Sequence, residues 1–267
     1  MPTQHAVTGD PDSILNELSV AWRVIPFTAR SREESWQPVL AMGPTSSTAL
    51  EDTAATFCGP HEIAKYQHLT MARARQTFLQ GRIASKIALR AMLARRLPQT
   101  RFDPRRVEVK NDRLGRPIVQ GASGLGVSLS HCLGASVAVA FPLELPLGID
   151  LERVRPQNAS VLSDWIAPDE FALAQSATPS GSHAALALTL VWCLKEALGK
   201  LLGCGLAAPP ELLAITSLTP IPDGITAEYA HAGNYQGLAT ASTSMVLALA
   251  APANVTLELD FGALTMG

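Results

Sequence analysis

Long apolar runs are missing from this chain. No stretch reaches the roughly 18 uncharged apolar residues that a membrane span needs, so no membrane partner is expected. A surplus of positive charge is missing too. Lys and Arg number 21 against 23 Asp and Glu, a net charge of −2, which excludes a general nucleic-acid-binding surface. Cysteine is scarce. Cys58, Cys132, Cys193 and Cys204 include no C-x-x-C pair, so small buried hydrophobes are expected rather than a disulfide framework. That favours a reducing compartment. Residues 1–20 lack the basic start and apolar core of a signal peptide. The expected location is cytoplasmic, with residues 1–20 a loosely ordered N-terminal segment.

What is present is an ordinary globular composition, with 47% apolar and 16% charged residues in 267. That is ample for a core without staples, as one large domain or two small ones. A short strand is expected at 22–25, and a loop rich in Ser, Thr, Pro and Glu at 31–55. Helical spacing runs over 62–97, where Phe78, Leu79, Ile83, Ile87 and Leu93 recur, and Pro98 ends it. Short β-like runs follow at 106–110, 116–119, 126–130 and 135–141. The order then repeats: a strand at 147–151, helices at 161–174 and 184–202, and strands near 213–216, 226–231, 238–241 and 245–250. Strands grouped after helices predict an α+β fold. The doubled order predicts two similar halves, 21–145 and 146–267, with a ligand cleft at their interface.

Two short runs carry the chemistry. Gly148-Ile149-Asp150-Leu151-Glu152 reads as a strand end, so Asp150 and Glu152 point the same way. Trp192-Cys193-Leu194-Lys195-Glu196-Ala197-Leu198-Gly199-Lys200 reads as a helix, with Glu196 and Lys200 one turn apart on one face. Two or three hard carboxylate ligands suit Mg²⁺ shared with substrate phosphates, and the lysine would sit near those phosphates.

These runs resemble the G-[IV]-D-x-E and W-x-x-K-E-A-x-x-K motifs of the Sfp-type 4′-phosphopantetheinyl transferases. Gly115-Arg116-Pro117 is similar to an upstream G-[KR]-P. Ser130-His131 falls at the family's S-H segment, within Gly126-Val127-Ser128-Leu129-Ser130-His131-Cys132. Gly81, Arg82 and Lys86 match a G-R-x-x-x-[KR] run. The resemblance spans roughly residues 62–250. It implies a pseudo-twofold pair of α+β halves, each a small antiparallel sheet packed on helices. It also implies an activity: transfer of the 4′-phosphopantetheine moiety of coenzyme A to a serine of an apo acyl or peptidyl carrier protein. The reaction would depend on Mg²⁺ and release adenosine 3′,5′-bisphosphate. The pathway served could be fatty acid, polyketide or non-ribosomal peptide synthesis.

The resemblance implies roles residue by residue. Asp150, Glu152 and Glu196 would be the metal ligands. Glu196 would also accept the serine proton, since a serine hydroxyl is a poor nucleophile until a base takes it. Lys200 would hold the pyrophosphate and neutralise the leaving group. His131 and Ser130 would contact the coenzyme A phosphates, Arg116 would lie near the nucleotide, and Arg82 and Lys86 would grip the 3′-phosphate. Lys195 is either a support residue or a phosphate contact, and Trp192 is a packing residue. The carrier is expected to dock near 164–174 and the Glu196 helix. A single chain that builds its own cleft is expected to be a monomer. Two other functions fit the carboxylates: a Mg²⁺-dependent nucleotide phosphohydrolase, and a silent module that only binds coenzyme A or a carrier.

Overall fold

A computed structural model describes residues 22–44, 54–55, 57–97, 99, 101–179 and 183–260. The expectations for residues 1–20 and for Pro98 lie outside the described residues. The chain begins with β1 (Arg23–Pro26), β2 (Thr28–Arg30), β3 (Ser35–Trp36) and β4 (Val39–Pro44). Helices α1 (Pro60–His68) and α2 (Ala72–Arg96) follow, then β5 (Glu108–Asn111), β6 (Pro117–Gln120), β7 (Leu125–Cys132) and β8 (Ala135–Pro142). The order restarts with β9 (Gly148–Arg153), α3 (Ala159–Ser163), α4 (Pro168–Ala177) and α5 (Ala184–Leu202). It closes with β10 (Ile215–Ile221), β11 (Gly224–Tyr229), β12 (Tyr235–Ala241), β13 (Met245–Pro252) and β14 (Thr256–Glu258).

The fold is α+β, built on small antiparallel sheets. One sheet runs β1-β4-β8-β7 and another β10-β11-β12-β13-β9, with every pair antiparallel. In each, the strand before the helices lies beside the last strand, which lies beside the strand before it. Strand β14 returns to pair with β2.

Three apolar clusters fill the layers. Leu79, Ile83 and Ile87 of α2 pack on Val39, Ala41, Ala138 and Ala140. Leu190, Leu194 and Leu198 of α5 pack on Ala239, Ala248 and Ala250. Between the sheets, Leu40, Met42, Val137 and Val139 meet Ile149, Leu151, Leu247 and Leu249. The central strands are therefore covered on both faces, and strands covered on both faces read as apolar runs without alternation.

That explains where the sequence reading needs correction. Residues 31–55, expected to be loop, contain β4, whose Val39-Leu40-Ala41-Met42 is buried throughout. The helical spacing over 62–97 resolves into two helices, with Leu69 extended at the end of α1 and Met71 extended at the start of α2. The expected helix at 161–174 likewise divides into α3 and α4, because Pro168 supplies the first-turn position of a new helix.

Candidate active site at the seam between the sheets

Strands β7 and β9 are the edges of their sheets, and they lie side by side. Two serines of β7 join them. The Ile149 amide donates to Ser128 Oγ at 3.1 Å, and Ser130 Oγ donates to Asp150 Oδ1 at 2.7 Å. Ser128 and Ser130 share one face of β7 and His131 takes the other, as strand alternation requires. The seam thus orients polar side chains where a backbone ladder would leave no room for them.

Helix α5 lies directly over β9. A Cβ at Gly148 would come 2.0 Å from the Ala197 carbonyl oxygen, so the glycine permits this approach. The helix ends at Gly203, in the left-handed conformation with φ 74°, a conformation that glycine adopts without steric cost. This packing sets Lys200 Nζ 2.6 Å from Asp150 Oδ1. Asp150 is only 2% exposed, and its Oδ2 has no hydrogen-bond partner.

Glu152 and Glu196 are half-buried and feel the Asp150 charge. Burial first and Asp150 second raise the Glu196 carboxyl to about 7, with Lys200 opposing. Burial and Asp150 also raise Glu152, while a hydrogen bond from Trp192 and the charges of Lys200 and Arg155 oppose them. Desolvation first, then Lys200, lower the His131 pKa, with Asp150 opposing. Trp192 packs edge-on against Trp165, ring centroids 5.8 Å apart.

Two cavities open along the seam. The larger, about 810 Å³, is walled by Arg73, Gln76, Thr77 and Gln80 of α2 and opens on His131 and Glu152. The smaller, about 170 Å³, gathers Arg82, Arg116 and Lys200 around Asn111. Arg82 Nη2 donates to Asn111 Oδ1 at 3.1 Å, and Arg116 Nε sits 3.2 Å from Asp112 Oδ2. Arg82 Nε also lies 3.5 Å from Glu62 Oε1. Each of the three cations thus already faces a carboxylate, and an anionic group entering the cavity would share them.

The tertiary structure brings together Asp150, Glu152, Glu196, Lys200 and His131, with Arg82 and Arg116 at the adjoining cavity. Three expected phosphate contacts are corrected. Lys86 is fully buried, and its three protons go to Glu62 (2.8 Å) and the carbonyls of Pro104 (2.6 Å) and Val107 (2.5 Å). Lys195 gives its three to Glu170 (2.7 Å), Trp165 (3.1 Å) and Pro210 (3.2 Å). An ammonium has three donors, so neither has one left, and Lys195 is a support residue. Ser130 has one proton and gives it to Asp150; a phosphate, which only accepts, gains nothing from it.

Arg73, Gln76, Thr77 and Gln80 escaped the sequence reading. Their i, i+3, i+4, i+7 spacing on one helix face was the available signal. Asn111 gave no signal, because its role depends on α2 reaching the β5–β6 hairpin.

The donor set is a test of the metal expectation. Among the described residues no three His, Cys, Asp or Glu side chains stand close enough to hold a metal ion, so the three acids are not a ready-made cage. A buried carboxylate oxygen without a partner, beside two further carboxylates, still fits Mg²⁺, which binds through one or two carboxylates plus substrate phosphates and water. Thiol chemistry is not offered here. Cys132, beside His131, is raised to about 11 by burial and by Glu152. Among the described residues no helix is long and apolar enough to cross a membrane.

Among solved structures, the chain is similar to a holo-(acyl-carrier-protein) synthase from Bacillus anthracis str. Ames in complex with CoA (3′,5′-ADP). The identity is 18%, the match covers 45% of this chain and 96% of that one, and the TM-score is 0.32. No curated protein matches. The family model described as ACPS: 4′-phosphopantetheinyl transferase superfamily matches residues 146–245, the stretch that carries Asp150, Glu152, Glu196 and Lys200.

Proposed function

We propose that this protein transfers the 4′-phosphopantetheine moiety of coenzyme A to a serine hydroxyl of an apo carrier protein. One observation carries the reading. The buried Asp150–Lys200 pair leaves Asp150 Oδ2 free, beside a glutamate whose pKa lies at about 7 and a cavity with three cations.

In this reading Arg82, Arg116 and Lys200 hold the phosphates. Lys200 turns from Asp150 to the pyrophosphate as charge grows on the leaving oxygen. Glu196 takes the serine proton, and a pKa near the working pH suits that task. The serine oxygen then bonds to the phosphorus that bears pantetheine. The bond to the bridging oxygen breaks, and adenosine 3′,5′-bisphosphate leaves with the negative charge. Asp150 and Glu152 would hold Mg²⁺, with Glu196 near it, and a bound Mg²⁺ would supply charge stabilisation at the pyrophosphate. The acyl and peptidyl carriers of several pathways are all candidate substrates.

The test is an incubation with coenzyme A, Mg²⁺ and a panel of apo carriers, followed by intact mass spectrometry. A gain of one phosphopantetheine on a carrier serine, lost with EDTA, is expected. Phosphate released from coenzyme A without any carrier would instead indicate a phosphohydrolase. Coenzyme A binding with no product on any carrier would indicate a silent binding module.

A further inference from the structure

Asp150 has two carboxylate oxygens with different surroundings. Oδ1 receives both the Ser130 hydroxyl at 2.7 Å and the Lys200 ammonium at 2.6 Å. Oδ2 is buried and accepts no N–H or O–H donor, and the Cys193 thiol also reaches the Asp150 carboxylate. Two donors on one oxygen restrain the carboxylate and leave Oδ2 without an N–H or O–H donor.

The two donors differ in kind. Lys200 has a flexible stem and a side chain 26% exposed, so it can swing to a phosphate. Ser130 is 7% exposed on β7 and cannot leave. Its strand is itself pinned to β9 by the Ile149 amide on Ser128 Oγ, 3.1 Å.

We propose that Ser130 is a positioning residue, a fixed donor from the first sheet that orients Asp150 of the second and presents Asp150 Oδ2 to the metal. The proposal rests on the transferase reading above. It departs from the role the sequence resemblance implied, since the Ser130 proton is spent on Asp150 and not on a phosphate. Hydrogen-bond partners of metal-ligating carboxylates typically carry 10–100-fold in metal affinity.

The experiment compares wild type with Ser130→Ala, Ser130→Cys and Ser130→Thr. Mn²⁺ is titrated by electron paramagnetic resonance into protein saturated with coenzyme A, and coenzyme A is titrated by calorimetry in EDTA. Ser130→Ala is expected to weaken Mn²⁺ binding about 10–100-fold, with metal-free coenzyme A affinity unchanged. Ser130→Cys keeps the volume but has a poor donor, and should weaken Mn²⁺ binding in the same way. Ser130→Thr keeps the hydroxyl and should restore most of the affinity. Wild-type Mn²⁺ affinity in the alanine and cysteine variants would overturn the proposal. So would an equal loss of metal-free coenzyme A affinity, which would make Ser130 a phosphate contact. A wild-type protein that binds no Mn²⁺ in the presence of coenzyme A would defeat the transferase reading itself, and this proposal with it.

Discussion

Lys86 and Lys195 hold the same place in two copies of one arrangement. Each rises from the long helix of its half and pairs with a buried glutamate, Glu62 at 2.8 Å and Glu170 at 2.7 Å. Each glutamate is the third residue of a helix that opens with proline, and reaches back to the amide before it, Gly59 or Ala167, at 2.9 and 2.8 Å. The other oxygen of each accepts a strand amide, Val109 at 2.9 Å or Ile215 at 2.8 Å. Each clamp ties a short helix, a long helix and a strand together. In the second half it fixes the helix that carries Glu196 and Lys200.

The residue after each lysine separates the halves. Ile87 follows Lys86 and is buried in the first core, whereas Glu196 follows Lys195 and is half-buried at the seam. On the paired strands, Ala41 lies opposite Ala138 where Asp150 lies opposite Ala248. The lysine–glutamate clamp occurs in both places and the acidic chemistry in one.

Replacing Lys195 leaves Glu170 without its ammonium partner, whereas replacing Lys86 leaves Glu62 with Arg82 at 3.5 Å. Lys195→Met is expected to cost about 3–5 kcal/mol of unfolding free energy, and Lys86→Met less because Arg82 stays beside Glu62, both read by urea denaturation. Coenzyme A affinity of the folded fraction should not change. Loss of coenzyme A binding by a stably folded Lys86→Met protein would return that lysine to the site.

At Gly148 the constraint is space rather than backbone strain. A methyl group there would meet the Ala197 carbonyl at 2.0 Å and the Leu201 amide at 2.8 Å. Gly148→Ala should cost at least about 1–3 kcal/mol, the usual range for overpacking. Because α5 is the element displaced, activity should fall further than stability does. Thermal unfolding alongside transfer rate will separate the two.

Lys200→Met removes a cation from the small cavity and one donor from Asp150, while Ser130 still serves Oδ1. Transfer is expected to fall about 10²–10³-fold in kcat, the size of losing one charge-stabilising donor. The carrier KM should move little. Steady-state rates at saturating coenzyme A will show whether the loss lies in kcat.

Glu196 makes stability and activity depend on pH in opposite directions. Its folded pKa is raised from 4.5 to about 7. Between those values the native state holds a proton that the unfolded state has lost, so stability falls as pH rises through that window and this contribution is flat above it. Metal-free protein should therefore unfold at lower urea concentration at pH 7.5 than at pH 5, and Glu196→Gln should reduce the difference. Transfer should rise with pH through the same region, because the deprotonated carboxylate is the base. A bound cation would shift that rise to lower pH.

The sequence alone determined the α+β class, the helix that carries Glu196 and Lys200, and the local part of the site. Helix α5 was legible over its full length, because Leu186, Leu190, Leu194 and Leu198 recur at its period. The Asp150–Glu152 and Glu196–Lys200 pairs were legible because strand and helix periods place i, i+2 and i, i+4 on one face. Strand β4 was not, since burial on both faces removes alternation. The Pro-x-Glu and Lys-x-Ala-Leu runs, at Pro60-His61-Glu62 with Lys86-Ile87-Ala88-Leu89 and at Pro168-Asp169-Glu170 with Lys195-Glu196-Ala197-Leu198, were a signal of the two clamps. Tertiary structure decided which lysines are spent and which serine proton is taken. A side chain's free donors depend on neighbours far away in sequence: Lys86 lies 18 and 21 residues from its carbonyl partners, and Ser130 lies 20 from Asp150. Periodicity carries no information at those separations, and only the packed seam of β7 against β9 sets the answer.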